Sequence, residues 1–297
     1  MVYRMVSAWT QTQAQLEDAL QAGRFAPCGA SQEKSVGWVE PRGQDHGALV
    51  EVVGGQWLLK LMLEVKAVPA AVVKRKVQER LQQIEAATGR KPGKKEAREL
   101  REDARLALLP MAFSKQSSLL VWIDPKAQLL VLDAASQAKA DELMTALVKA
   151  VDGLAVQLVN TQTSAAAAMS GWLSTQEAPA GFSVDRECEL KAADESKAVV
   201  RYTRHALDTD EVSQHIAMGK LPTRLAMTWN DRVSFVLTEA LQIKKLAFLD
   251  VVFEGAAAAA GDGRDDAFDA DAAISTGELQ QLIPELLEAL GGEMALA

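Results

Sequence analysis

Short apolar runs separated by turn residues dominate the first third of the chain. Residues 2–9, 35–39, 49–53 and 56–65 are rich in Val, Leu, Tyr and Trp and predict strands, with one helix between them over residues 11–21. Gly54-Gly55 separates the last two runs and supplies the free φ that a two-residue hairpin loop requires. The period then changes. Val73, Val77, Leu81 and Ile84 recur at helical spacing behind Pro69, whose missing N–H costs little at a helix start. Gly89-Arg90-Lys91-Pro92-Gly93 breaks that helix. A second follows over residues 94–109 with Ala97, Leu100, Ala104 and Leu108 as its inner face, and Pro110 stops it. The pattern is a helical hairpin with a basic turn, each arm roughly 25 Å long at helical rise, projecting from a sheet.

Strands resume over residues 119–123 and 128–132, joined by a turn at Asp124-Pro125-Lys126. Residues 136–151 predict an amphipathic helix with Leu143, Leu147 and Val151 as its stripe. The Ala-, Ser- and Thr-rich stretch 159–180 gives no clear period and is placed at a domain boundary. Beyond it, Asp208 and Glu211 predict a capping-box helix start, with Gly219 as its end. Residues 223–229, 232–239 and 241–248 predict a meander whose first turn is Asn230-Asp231. An Ala/Gly linker over 255–263 leads to a final helix. Ser275 and Glu278 are read as its capping box, Pro284 as a bend and Gly291-Gly292 as its stop.

Strands, a helical hairpin, then strands and helices predict an α+β fold. The expected units are a discontinuous central sheet domain (1–65 and 117–165), the projecting hairpin (66–116) and a C-terminal α+β unit (166–297). No fixed-period repeat or sustained heptad pattern is present. Hydrophobic residues make up 48% and charged residues 24% of the chain, and no apolar run reaches the ~20 residues of a membrane helix. The first residues lack the layout of a secretory signal, and Cys28 and Cys188 stand far apart outside any CxxC. These features predict a cytoplasmic protein with no disulfide framework, no cofactor and no membrane partner.

Charge changes the picture most in the hairpin. Residues 66–115 carry thirteen Lys/Arg against six Asp/Glu, a net of +7 in a chain whose total is −8. Lys94, Arg98, Arg101 and Arg105 fall at i, i+4, i+7 and i+11, one continuous stripe, while Glu96, Glu99, Glu102 and Asp103 lie on other azimuths. Lys66, Lys74, Arg75, Lys76, Arg90, Lys91 and Lys115 extend the basic island. Segregated positive charge suits a phosphate backbone, and no paired Asn, Gln or Arg motif reads base edges, so binding is expected to be salt-sensitive and blind to sequence. The bland alternative is a solvated helical face. Aromatics amount to 5% and do not interleave with the basic residues, which counts against a single-strand stacking platform. Phe113, where the hairpin returns to the sheet, is either a core residue or an apolar contact between two copies.

Two other function classes stay open on the residues. Asp45 followed by Glu64-Val65-Lys66 mimics the layout of a Mg²⁺-dependent nuclease, in which two carboxylates hold the ion and the lysine steadies water. Alternatively, the basic hairpin docks an acidic protein partner. His46, His205 and His215 are scattered without metal-ligand spacing, and GxGxxG, GxxxxGK[ST] and GxSxG are all absent.

A set of ordered fragments carries a resemblance. They are Phe25-Ala26-Pro27-Cys28-Gly29, Val36-Gly37-Trp38-Val39 with Pro41, and Leu108-Leu109-Pro110-Met111-Ala112-Phe113-Ser114. Trp122-Ile123-Asp124, Phe268-Asp269-Ala270-Asp271, Thr276-Gly277-Glu278-Leu279 and Glu288-Ala289-Leu290-Gly291-Gly292-Glu293 follow. In this order and spacing the chain resembles the bacterial recombination-associated RdgC family over nearly its full length. The resemblance implies a non-enzymatic, nucleoid-associated, ring-shaped homodimer. Such a ring encircles double-stranded DNA with little sequence preference and restrains RecA-driven strand exchange. It also implies that the hairpin is a tip meeting its counterpart, with Phe113 as the tip aromatic, and that the C-terminal unit is a base. Lys66 and Arg90 then face the DNA path, and Arg204-His205 lies near the base-side contact. Two departures stand out. Met111 occupies a position where the resemblance leads one to expect Arg, so one DNA contact is either missing or supplied by Lys115, and the N-terminus lacks an aromatic lead-in, so a shortened first strand is expected.

Overall fold

A computed structural model describes residues 1–254 and 264–295. The chain opens with β1 (Val2–Met5), which ends well before residue 9, and α1 (Gln13–Gln21). Thr12 caps α1: its hydroxyl accepts from the Gln15 N–H at 3.3 Å, and Gln15 Oε1 accepts from the Thr12 N–H at 2.9 Å. Then come β2 (Lys34–Val39), β3 (Glu51–Val53) and β4 (Gln56–Lys66). Gly54 and Gly55, at φ 58° and 83°, turn β3 into β4 as the loop chemistry requires.

The hairpin is inserted at the far end of β4. It consists of α2 (Ala70–Thr88) and α3 (Lys94–Leu108), and the chain re-enters the sheet as β5 (Ser114–Asp124) with Lys66 paired to Ser114. Gly89 ends α2 at φ 69°, its N–H donating to Glu85 O. Only Val73, Val77 and Ala104 are buried between the helices, with Val68, Leu81, Leu100 and Leu108 packed around them. All three buried residues lie toward the sheet, so the distal turns are held by little apolar contact.

After β6 (Leu129–Leu132), α4 (Gln137–Ala150) and β7 (Val156–Leu158), the first sheet is complete. It is antiparallel, in the order β2-β4-β5-β6-β1-β7, with β3 also on β4. Leu59, Leu61 and Leu63 of β4 and Leu119, Val121 and Ile123 of β5 alternate onto one face, where Leu16, Leu20, Leu143 and Leu147 of α1 and α4 cover them.

The second half contains α5 (Ala165–Thr175), β8 (Phe182–Ala192), β9 (Val199–Thr203) and α6 (Asp210–Ala217). It continues with β10 (Lys220–Trp229), β11 (Val233–Thr238), β12 (Ile243–Phe248), α7 (Asp250–Phe253) and α8 (Arg264–Ala289). Its sheet is antiparallel in the order β12-β11-β10-β8-β9. Leu282, Ile283, Leu286, Leu287 and Leu290 of α8 enter a core shared by Trp122 and Leu129 of the first sheet and Leu225, Trp229 and Phe235 of the second. Polar ties fix the same helix on both sides. Gln280 Nε2 donates to Asp124 Oδ2 at 2.7 Å, and Arg232 Nε to Glu278 Oε2 at 2.8 Å. Gly291 and Gly292, at φ 83° and 93°, reverse the chain so that Glu293 accepts from Arg4 Nε at 3.0 Å.

The described residues therefore form an α+β protein with two antiparallel sheets and eight helices. Several sequence expectations are corrected. The stretch 159–180 contains α5, capped by Ser164, whose hydroxyl accepts from the Ala167 N–H. Strands β8 and β9 were not anticipated. Asp208 caps nothing: α6 starts after Thr209, and Glu211 accepts instead from the Tyr202 hydroxyl at 3.1 Å. Ser275 lies inside α8 rather than at its start, and Glu278 serves Arg232. The expected 255–263 linker lies outside the described residues. No described helix is long and apolar enough to cross a membrane.

Candidate nucleic-acid interface

The α3 stripe keeps much of its charge unspent. Lys94, Arg98 and Arg101 are exposed and have no ion-pair partner among the described residues. Arg105 differs: its Nη2 lies 2.5 Å from Glu33 Oε2 in the loop before β2, tying the root of α3 to the sheet. In the distal turn, Arg90 forks onto Glu96, at 2.8 and 3.2 Å, and Lys91 Nζ lies 3.8 Å from Glu85. Glu96 holds the Arg90 guanidinium above its usual value, and Arg90 holds the Glu96 carboxyl below its own. Both cations are solvent-exposed, so a phosphate can compete for either.

The rest of the island does not form one surface. Lys74 and Lys76 are two residues apart on α2, roughly 200° around the helix, so they occupy opposite flanks of the hairpin. Lys66 and Lys115 are likewise separated. Lys66 pairs with Ser114 and Lys115 with Val65, which puts the two lysines on opposite faces of the sheet. Lys66 Nζ donates to Gly29 O at 2.8 Å. Sequence reasoning passed over Lys60, on the same face of β4 as Lys66. Lys60 is half-buried and has no partner among the described residues. Its signal was the β4 alternation Lys60, Met62, Glu64, Lys66 opposite the leucines.

The nuclease constellation is not assembled. Glu64 is 3% exposed and its carboxylate is already occupied: Gln116 Nε2 donates to Oε2 at 2.7 Å and the Cys28 N–H to Oε1 at 3.3 Å. The Gln116 amide is the main reason its carboxyl sits below the usual range. Asp45 is exposed in a loop whose neighbours His46 and Gly47 lie against α1, while Glu64 faces away from α1. No cluster of three or more His, Cys, Asp or Glu side chains that could hold a metal occurs among the described residues.

Phe113 is 93% exposed and Met111 70%, so the core reading of Phe113 is excluded. Phe113 also sits at the root of the hairpin, its carbonyl accepting from the Ala67 N–H, and not at the distal turn. Arg204 and His205 lie in the turn after β9, an edge strand of the second sheet. Arg204 adopts φ 55°, and the His205 ring packs 5.5 Å from that of Tyr202. Burial pushes the Tyr202 hydroxyl up to about 12, with Glu211 adding to the effect.

A family model described as "Putative exonuclease, RdgC" matches residues 1–293. The chain belongs to the RdgC family. Curated relatives are named "Recombination-associated protein RdgC". The protein of Dechloromonas aromatica is 45% identical, the match covering 100% of this chain and 97% of that protein. That of Cupriavidus pinatubonensis is 47% identical over 98% and 97%, and that of Bordetella pertussis 46% over 98% and 97%. The fragments that suggested RdgC turn out to be joints of the fold. Residues 25–29 cross β2 at Gly37, where a Cβ would come within 2.4 Å of Phe25 Cα. Arg42 lies 4.6 Å over the Phe268 ring and donates to Asp269 Oδ1 at 2.6 Å, fastening the loop after β2 to α8.

Proposed function

We propose that this chain is a non-enzymatic, sequence-independent double-stranded DNA-binding protein that acts as a ring-shaped homodimer. It binds through the hairpin and limits the access of a RecA recombinase to DNA. The observation that carries this reading is the α3 stripe: three exposed cations without described partners, on one flank of a projecting helix, in a chain of net charge −8. An acidic protein keeps such a surface free of its own carboxylates at an electrostatic cost, which an anionic polymer offsets. Membership of a recombination-associated family supports DNA as that polymer. Phe113, solvent-exposed beside the hairpin, supports an apolar contact between copies, and a dimer would carry the stripe twice around one duplex. Arg204 and His205 are assigned to the second contact and a nucleoid-associated, cytoplasmic setting to the protein.

The occupied Glu64 and the distant Asp45 argue against hydrolysis by that pair, although the family description names an exonuclease. One experiment separates the readings: labelled duplexes of two unrelated sequences are titrated with protein, with and without Mg²⁺, and inspected for both binding and shortening. Equal affinities with intact strands are expected. Shortening that is lost in Glu64→Ala would overturn the non-enzymatic reading, and no binding at low salt would favour an acidic protein partner.

A further inference from the structure

A polar network ties α6 to the strands beside it in the second half of the molecule. His215 lies in the last turn of α6, half-buried next to Lys220, the first residue of β10. Lys220 Nζ is 3.1 Å from His215 Nδ1. An ammonium group only donates, so Nδ1 accepts, and the ring is neutral with its proton on Nε2. Nε2 faces Glu211 Oε1 one helical turn back, at 3.8 Å, too long for a hydrogen bond. The same oxygen accepts from the Tyr202 hydroxyl at 3.1 Å. Tyr202 is 7% exposed, and its ring packs against His205 in the turn after β9.

We propose that His215 is an acid-sensitive switch: its protonation expels Lys220 and draws Glu211 away from Tyr202, loosening the turn that carries Arg204 and His205. The switch stands on this local geometry. Its consequence for assembly rests on the reading of that turn as the second contact of a homodimer. A proton added at Nδ1 converts the acceptor facing Lys220 into a donor and sets two positive charges against each other across 3.1 Å. That contact cannot persist. At Nε2 the new charge acts with the opposite sign. It attracts the Glu211 carboxylate across the 3.8 Å gap, and a charge-assisted bond to imidazolium outcompetes the neutral phenol for the shared oxygen.

The surroundings give both movements somewhere to go. The charged and titratable groups around the ring are Glu211 on its own helix and Lys220 on β10. One step further out stand Tyr202 on β9 and Asp194 in the turn between β8 and β9. Helix α5, packed against α6, has no titratable side chain. The Ser196 hydroxyl is the main group holding the Asp194 carboxyl below its ordinary value, and Lys220 adds to the effect. An ammonium released from His215 therefore moves toward a second carboxylate already within its reach. Glu211 is exposed, so its side chain swings without disturbing the core. The buried Tyr202 hydroxyl is left without its acceptor, a cost that movement of the β9 turn relieves.

Ring-carbon NMR on the full chain tests the switch, because the chain has only two tyrosines, Tyr3 and Tyr202. Protein carrying ¹³C-labelled tyrosine and histidine is followed from about pH 8 to about pH 5.5, the range in which histidine changes charge. Tyr202→Phe and His215→Gln assign the signals. The Tyr202 resonance should move in step with that of His215, and should still do so in His205→Asn. In His215→Gln it should stay fixed. A Tyr202 signal that is static in the wild type, or that moves equally in His215→Gln, overturns the switch. Sedimentation over the same range tests the consequence. Dimerisation should weaken by about three- to tenfold on acidification, the contribution of one hydrogen bond, in the wild type and not in His215→Gln. Equal weakening in both overturns the regulatory role. A monomer at neutral pH overturns the homodimer reading and leaves the Tyr202 signal to decide the switch.

Discussion

Glu64 looked like a metal ligand in the sequence and is a structural acceptor in the fold. Its carboxyl titrates below the ordinary range because Gln116 and the Cys28 N–H hold the charged form. The sign of the linkage follows. As pH falls, the unfolded chain takes up this proton before the folded one does. The stabilisation is therefore complete above the ordinary carboxylate range and disappears as pH drops through the lower folded value. Urea midpoints measured from neutral to acid pH should fall less steeply for Glu64→Gln than for the wild type. Parallel profiles would contradict the assignment. Gly37 makes a second residue-scale prediction. A Cβ there meets the Phe25 backbone, which cannot swing aside as a side-chain end could. Gly37→Ala should cost about 1–3 kcal/mol in urea unfolding, through overpacking alone. Neither role was visible beforehand, because Gln116 lies 52 and Cys28 36 residues from Glu64 along the chain.

The helices of the hairpin were legible because their periodicity is local: Val73, Val77, Leu81 and Ile84 announce α2 without reference to anything distant. Strands β8 and β9 were not legible for the opposite reason. Their outer face carries Glu187, Glu189 and Arg201, whose charges break the apolar signal until Lys245 and the β8–β9 neighbours neutralise them across the sheet. The stripe was half legible. Segregation on α3 is a local pattern, but the Arg105–Glu33 pair joins residues 72 apart and removes one cation from it. Packing sets how firmly the stripe is held. With three buried residues near its root, the hairpin should open locally while the sheets stay closed. Val77→Ala should weaken it by about 1–3 kcal/mol. Hydrogen exchange should then accelerate across α2 and α3 while β4 and β5 keep their protection. Uniform acceleration would mean that the hairpin folds as part of the sheet core.

At the scale of the whole molecule, α8 is the joint. Its apolar face belongs to a core built from both sheets, and Arg232–Glu278, Gln280–Asp124 and Arg4–Glu293 orient it. The helical repeat of Leu279, Leu282, Ile283, Leu286 and Leu290 marks that face in the sequence but not its two-sided use, since packing against Trp122 and Leu129 depends on tertiary placement. Arg232→Ala strips the partner from Glu278, which is 7% exposed, and should lower the urea midpoint without altering DNA affinity. A rigid joint of this kind holds the hairpin, through the first sheet, at a fixed angle to the second half. On the proposed function, charge distribution then decides what the protein binds: an acidic body presents one basic limb.

The most direct test of that claim is the salt dependence of duplex binding by Lys94→Ala/Arg98→Ala/Arg101→Ala, compared with wild type and with Arg105→Ala. If the three free cations neutralise phosphates, the triple variant binds more weakly at every salt concentration. Its log–log slope becomes shallower by about 2–3 per stripe, since each phosphate left without its cation accounts for about 0.9. Arg105→Ala, whose guanidinium is engaged by Glu33, changes the slope less than any of the three. A triple variant with the affinity and slope of the wild type, at unchanged circular dichroism, would contradict the account.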